Sequence, residues 1–137
     1  MNVYAVSIFV CLFAASAAFR KQRVTVTGKV FCQSDPSKTS GVKLKLVDYD
    51  FGPDPDDTLD ETVTGPDGSF HLSGSTRELG RIDPRLKIYH DCNDGWRPCQ
   101  REWKFHIPKL YINGDTMRFG EINLDLKIHD EDHDCIH

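Results

Sequence analysis

This sequence lacks the segment a membrane-spanning protein needs. The apolar run 6–15 falls short of the ~20 residues that cross a bilayer as a helix. It lacks an Asn-x-Ser/Thr triplet, so N-glycosylation is not expected. No Cys-x-x-Cys spacing is present, which argues against the common structural zinc sites. No Gly-x-Ser-x-Gly elbow is present, which argues against a serine hydrolase of that type. Helical periodicity is nearly missing: only 75–83 has helical character, about two turns, ended by Pro84. Positive charge is in deficit, with 17 Lys and Arg against 21 Asp and Glu and a net charge of -4, which argues against a general nucleic-acid binder.

What is present begins with an uncharged start. Nothing before Arg20 is charged, and the apolar run is followed by Ala15, Ser16, Ala17 and Ala18, the outline of a signal peptide over 1–18. The competing accounts are a membrane anchor or a buried strand. The domain then occupies 19–137, enough for one core that hides about two-thirds of its unfolded surface. Of the 5 cysteines, removal of Cys11 leaves Cys32, Cys92, Cys99 and Cys135. An even count in a small secreted chain reads as two disulfides, whose connectivity spacing alone leaves open.

The strands announce themselves by alternation. Val42, Leu44 and Leu46 face one way while Lys43 and Lys45 face the other, the period of a half-buried strand. Leu86 and Ile88 around Lys87 repeat the pattern and run into Cys92 and the Asn93-Asp94-Gly95 reversal, where Asp-Gly suits positive backbone angles. Trp103, Phe105 and Ile107 share a face, as do Ile122, Leu124, Leu126 and Ile128. In Val24-Thr25-Val26-Thr27-Gly28-Lys29-Val30, Gly28 marks a bulge or a close backbone approach. Gly65-Pro66-Asp67-Gly68 reads as a turn. About seven short strands with regularly spaced turns and almost no helix make an all-β sandwich.

The stretches Val26-Thr27-Gly28-Lys29-Val30-Phe31-Cys32, Gly52-Pro53-Asp54-Pro55-Asp56-Asp57, Asp67-Gly68-Ser69-Phe70 and Lys87-Ile88-Tyr89-His90-Asp91-Cys92 together resemble the transthyretin-like proteins secreted by nematodes. The resemblance covers nearly all of 24–128. It implies a transthyretin-like (prealbumin- or immunoglobulin-like) β-sandwich of seven to eight strands, secretion, and a disulfide between Cys32 and Cys92, with Cys99 and Cys135 as an additional pair. The residues themselves also allow Cys92 with Cys99 and Cys32 with Cys135. The hydrolase branch of the superfamily ends in Tyr-Arg-Gly-Ser, whereas this chain ends in Asp134-Cys135-Ile136-His137, which counts against an enzyme. Some members of the resembled family bridge phosphatidylserine on dying cells to a phagocyte receptor.

Several groups of residues could carry chemistry. Lys43 and Lys45 on one strand and Arg85 and Lys87 on another should share an outer sheet face, joined in the transthyretin order by Lys104 and His106. Clustered cations suit an anionic headgroup; the plainer account is a solvated face kept soluble by lysine. Trp96, at the tip of the reversal, suits a membrane interface or a protein partner, or else folds back onto the sandwich. The acids Asp48, Asp50, Asp54, Asp56, Asp57 and Asp60 suit calcium by type but lack the EF-hand spacing. His129, His133 and His137 are four apart, so a helical tail would put them on one face for zinc or copper, against a frayed acidic terminus held by Cys135. The reading is a binding protein and not an enzyme, with no cofactor. Lys43, Lys45, Arg85, Lys87 and Trp96 would meet an anionic phospholipid surface, and a cell-surface receptor would be the second partner. The runner-up is a carrier of a small hydrophobic molecule, in an oligomeric channel or the space between the sheets; a hydrolase of a small cyclic amide comes third, disfavoured by the C-terminus.

Overall fold

The computed structural model describes residues 19–49 and 56–137. The proposed signal peptide and the centre of the acidic loop, with Asp50 and Asp54, lie outside them. Eight strands follow in order: β1 (Phe19–Phe31), β2 (Lys43–Asp48), β3 (Asp57–Val63), β4 (Ser69–Leu79), β5 (Pro84–His90), β6 (Gln100–His106), β7 (Met117–Asn123) and β8 (Asp132–Asp134). They form an all-β sandwich of a three-stranded sheet, β4-β1-β7, and a five-stranded sheet, β3-β2-β5-β6-β8. Among the described residues no helix is long and apolar enough to cross a membrane.

Alternation decides which face each strand buries. Val24, Val26 and Val30 of β1 and Phe70 and Leu72 of β4 point into the space between the sheets. Leu44 and Leu46 of β2, Leu86 and Ile88 of β5 and Trp103 of β6 meet them from the other side. Ile82, Ile107 and Leu124 from the connections close the ends of this core. β5 is the middle strand of its sheet, with β2 and β6 antiparallel on either side. Its six-residue register with each partner places the apolar side chains of all three strands in one layer.

Gly28 serves both purposes its position suggests. The pairing of β1 with β7 slips between Thr27 and Lys29, and a Cβ on Gly28 would meet the Phe70 ring at 2.6 Å. Gly68, with φ of +80°, ends the turn before β4, and a Cβ there would strike the Val30 carbonyl.

Two expectations are corrected. The stretch 75–83 is not helical: β4 continues to Leu79, each residue facing one of β1 down to Phe19. The long β1 offers a complete ladder of backbone partners, and this non-local pairing overrides a weak local preference. The last apolar alternation also stops early. β7 ends at Asn123, whose side chain accepts the Asp125 amide, and the Asp125 carboxylate accepts the amides of Gln33 and Ser34. That turn keeps Leu124 buried and leaves Leu126 57% exposed.

Candidate functional site

The outward residues of β2, β5 and β6 form one surface. Across it Lys45 faces Lys87, which faces Lys104, so three lysines stand in a row over three strands. Lys43 lies one row along, beside Tyr89 and then Glu102, and Arg85 lies at the other end beside His106. The four cations singled out from the sequence therefore share a face, and Lys104 and His106 lie on it too.

That face also carries acids. Lys87 Nζ is 2.6 Å from Asp56, and Lys104 Nζ lies 3.1 Å from Glu102 and 3.6 Å from Asp132. The Arg85 guanidinium is 3.2 Å from Asp83 and stacks over the Tyr49 ring at 3.6 Å. Lys43 Nζ donates to the His137 main-chain oxygen at 2.8 Å, and Lys45 Nζ sits 5.8 Å from the centre of the Tyr89 ring. Tyr89 is buried on the outer side of its strand because the His137 ring stacks flat on it at 4.1 Å. Burial first, then the Glu102 carboxylate, push the Tyr89 hydroxyl well above its ordinary range.

The tail is not a helix. β8 pairs with β6, Gln100 opposite Asp134 and Glu102 opposite Asp132, and the three tail histidines separate. His133 meets the buried Asp94 carboxylate at 3.0 Å, His137 covers Tyr89, and exposed His129 lies 3.1 Å from the neighbouring Asp130 carboxylate. Of the acids of the β2–β3 region, Asp48 and Asp57 come together with Glu78, their carboxylate oxygens within 4.8 Å of one another, and others have separate tasks. Asp48 also accepts the Asp83 amide, Asp56 pairs with Lys87, and Asp60 accepts the Ser73 amide.

Trp96 is fully exposed in the β5–β6 connection. The reversal takes its positive φ at Asn93 (51°) and Gly95 (65°) rather than at Asp94, whose carboxylate turns inward to His133. The disulfides are Cys32–Cys92 and Cys99–Cys135. The first ties the end of β1 to the end of β5 and so joins the two sheets; the second ties the tail to the start of β6.

The family model described as TTR-52, the transthyretin-like family, matches residues 27–108. The chain belongs to the transthyretin-like family. Transthyretin-like protein 33 of Caenorhabditis elegans is 40% identical over 136 residues, covering 96% of this chain and 94% of that one. Transthyretin-like protein 5 of the same organism is 43% identical over 137 residues, with 95% and 97% covered. Transthyretin-like protein 46 is 39% identical over 124 residues, with 86% and 68% covered. Family membership and two disulfides are compatible with an extracellular protein.

In this transthyretin-like chain, sequence reasoning passed over the buried polar centre behind the face. Arg101 has the parity of Trp103 and points inward, the signal that was available. Its Nη1 donates to the carbonyls of Cys92 and Leu124 at 2.6 and 2.7 Å, its Nη2 donates to Leu126, and its Nε donates to Glu131 at 2.8 Å. Trp103 Nε1 donates to the same Glu131 oxygen. Burial works to raise the Glu131 carboxyl, but these hydrogen bonds and the Arg101 charge outweigh it and hold it low.

His90 sits beside this centre, 1% exposed, edge-on to Trp103, its Nδ1 accepting the Cys92 amide. Burial, then the Arg101 charge, push its imidazole down to about 3. The native ring is thus neutral where an unfolded histidine, near 6.5, takes a proton. The stability this contributes is complete above the ordinary histidine range and is lost as pH falls from there towards the folded value. The slope approaches about 1.4 kcal/mol per pH unit. Urea midpoints between pH ~6.5 and ~5 check this: the wild-type chain loses stability, while His90→Leu, less stable throughout, shows a flatter slope. Equal slopes would exclude His90 as the source.

Proposed function

We propose that this chain is a secreted, extracellular binding and adaptor protein. It recognises an anionic cell surface, phosphatidylserine exposed on dying cells, and bridges it to a receptor on another cell. Lys43, Lys45, Arg85 and Lys87 contact headgroups and Trp96 sits at the interface. The observation that carries the reading is the Lys45–Lys87–Lys104 row, three lysines facing one another across three strands, of which Lys45 makes no ion pair with a carboxylate among the described residues. The carboxylates on Lys87 and Arg85 grade the contributions. A headgroup must compete with Asp56 and Asp83 there, and with the His137 main-chain oxygen at Lys43, so Lys45 leads.

Co-sedimentation of the oxidised protein with vesicles, with and without phosphatidylserine, tests this. The expected result at physiological salt is binding only to the phosphatidylserine vesicles. With ~1 kcal/mol per cation near an anionic surface as the upper measure, the joint replacement of Lys43, Lys45, Arg85 and Lys87 by Gln weakens binding by at least about tenfold. Trp96→Ala weakens it further without altering the fold, because the indole touches solvent. Undiminished binding by the fourfold variant would remove the site.

The carrier alternative receives no support from the interior. The inner faces already fill the space between the sheets with Val24, Val26, Leu44, Leu46, Leu72, Ile88 and Trp103.

A further inference from the structure

The outer face of the other sheet differs in its electrostatics. On β1 the inward residues are Gln22, Val24, Val26 and Val30, so Lys21, Arg23, Thr25, Thr27 and Lys29 face out. Across from them on β4, Lys21 meets Arg77 and Arg23 meets Ser75, while Thr27 meets Arg118 on β7. Lys21, Arg23, Arg77 and Arg118 are all exposed. Among the described residues none of these four makes an ion pair with a carboxylate. The five-stranded sheet is the opposite case, with acids on Arg85, Lys87 and Lys104.

Acids border this outer face, and Asp60 accepts the Ser73 amide at the β4 edge. Glu121 stands opposite Lys29, and Asp67 turns its carboxylate to Ser69. Asp115 lines a cleft with Arg118 without forming an ion pair with it. Lys21 directly opposite Arg77 is a like-charge pair that destabilises the sheet. The Arg23 guanidinium is laid flat, donating to Ser73 Oγ at 3.1 Å and Ser75 Oγ at 3.5 Å, and Ser73 is 2.8 Å from Thr25 Oγ1. An acidic protein therefore presents on this face four exposed cations without an ion pair among the described residues, Arg23 held by hydroxyls.

From this we infer that the outer face of β4-β1-β7 is a docking surface for a linear sulfated polysaccharide. Outward residues on a strand recur every ~6.8 Å, so the positions from Lys21 to Lys29 form a strip of roughly 27 Å along which an extended polyanion can lie. Guanidinium groups hold sulfate oxygens with paired, charge-assisted hydrogen bonds, and hydroxyls add further donors. Between 21 and 29 on β1 and between 69 and 77 on β4 every outward side chain is polar, which fits a hydrated chain better than the interior edge of a bilayer. Disulfides place the protein in oxidising compartments, where nucleic acid is not the available polyanion.

The test is calorimetric titration of the oxidised full chain with a size-defined heparin oligosaccharide, at low and physiological salt. The variant is Lys21→Gln with Arg23→Gln and Arg77→Gln. All three positions are exposed and the change removes a repulsion, so the fold is retained, as a urea midpoint at or above wild type checks. Wild type is expected to bind with an affinity that falls as salt rises, and the variant to lose at least about tenfold. Lys109→Gln, an exposed cation in the β6–β7 connection, stays within about twofold of wild type. Equal binding by the triple variant, equal loss by the control, or undiminished binding of a desulfated oligosaccharide would overturn the assignment. Phosphatidylserine vesicles form the second arm. If the triple variant loses vesicle binding while heparin binds neither protein, the strip serves a membrane and the polysaccharide assignment fails. If only a variant carrying Lys45→Gln with Lys87→Gln, on the opposite face, loses vesicle binding, the earlier reading stands whatever heparin does.

Discussion

Arg101→Met lowers the stability of this protein by about 3–5 kcal/mol, the cost of removing one partner from a buried charge pair. The side chain is fully buried, and its guanidinium holds three carbonyls, of Cys92, Leu124 and Leu126, together with the Glu131 carboxylate. Methionine fills most of the volume but supplies no donor. Three carbonyls then lose a partner, and Glu131 keeps only the Trp103 indole within a poorly hydrated site. The segments that meet here, the end of β5, the turn after β7 and the approach to β8, all share this cation, so its loss weakens their junction. Arg101→Lys keeps the charge without the planar fork and is expected to fall between wild type and Met. Replacing Arg101 and Glu131 together by Met should recover part of the loss, since no unpaired charge remains. Urea unfolding followed by tryptophan fluorescence reads all of these; a deficit below about 1 kcal/mol for Arg101→Met would mean water replaces the guanidinium at little cost.

The second large effect is the loss of Cys32–Cys92. The two residues are 60 positions apart, and closing a loop of that length restricts the unfolded chain by about 4 kcal/mol on the entropy estimate. Cys99–Cys135 spans 36, for which the same estimate is smaller by only about 0.5 kcal/mol. Loop length therefore barely separates them; location does. Cys32 and Cys92 are buried and connect opposite sheets, so Ala at both also opens space in the core, while Cys135 is exposed. Paired Cys→Ala variants should show the first bridge costing clearly more than the second. Equal midpoints would mean that loop closure alone sets the stabilisation.

Much of the architecture was legible because it is local. The parity of Val42, Leu44 and Leu46, of Leu86 and Ile88, and of Trp103 and Phe105 is a property of consecutive residues, and each set lies inward. Stretches whose conformation is set by a distant partner were not legible. Residues 75–79 are strand only because β1 lies alongside, and the tail is strand only because β6 and Cys99 receive it. The shared face of Lys43, Lys45, Arg85 and Lys87 followed from parity and strand order, but the carboxylate partners of Lys87 and of neighbouring Lys104 did not, since Asp56 and Asp132 arrive from other elements. The facing of Lys21 and Arg77 needs a register between residues 56 positions apart, which no local pattern contains.

The three residues of β8 have one more consequence. The outer margin of β6 is a row of unpaired backbone donors and acceptors unless something lies along it, and an open margin of that kind invites another chain to add a strand. β8 occupies it, and Cys135 fastens this cover to Cys99 immediately before β6. The ladder is short, covering Gln100 to Glu102, and the bridge adds to the contacts of Glu131, Asp132, His133 and His137 that hold the tail in place. The protein thus carries its own guard against strand addition at the first half of β6, with Cys135 as the covalent part of that guard.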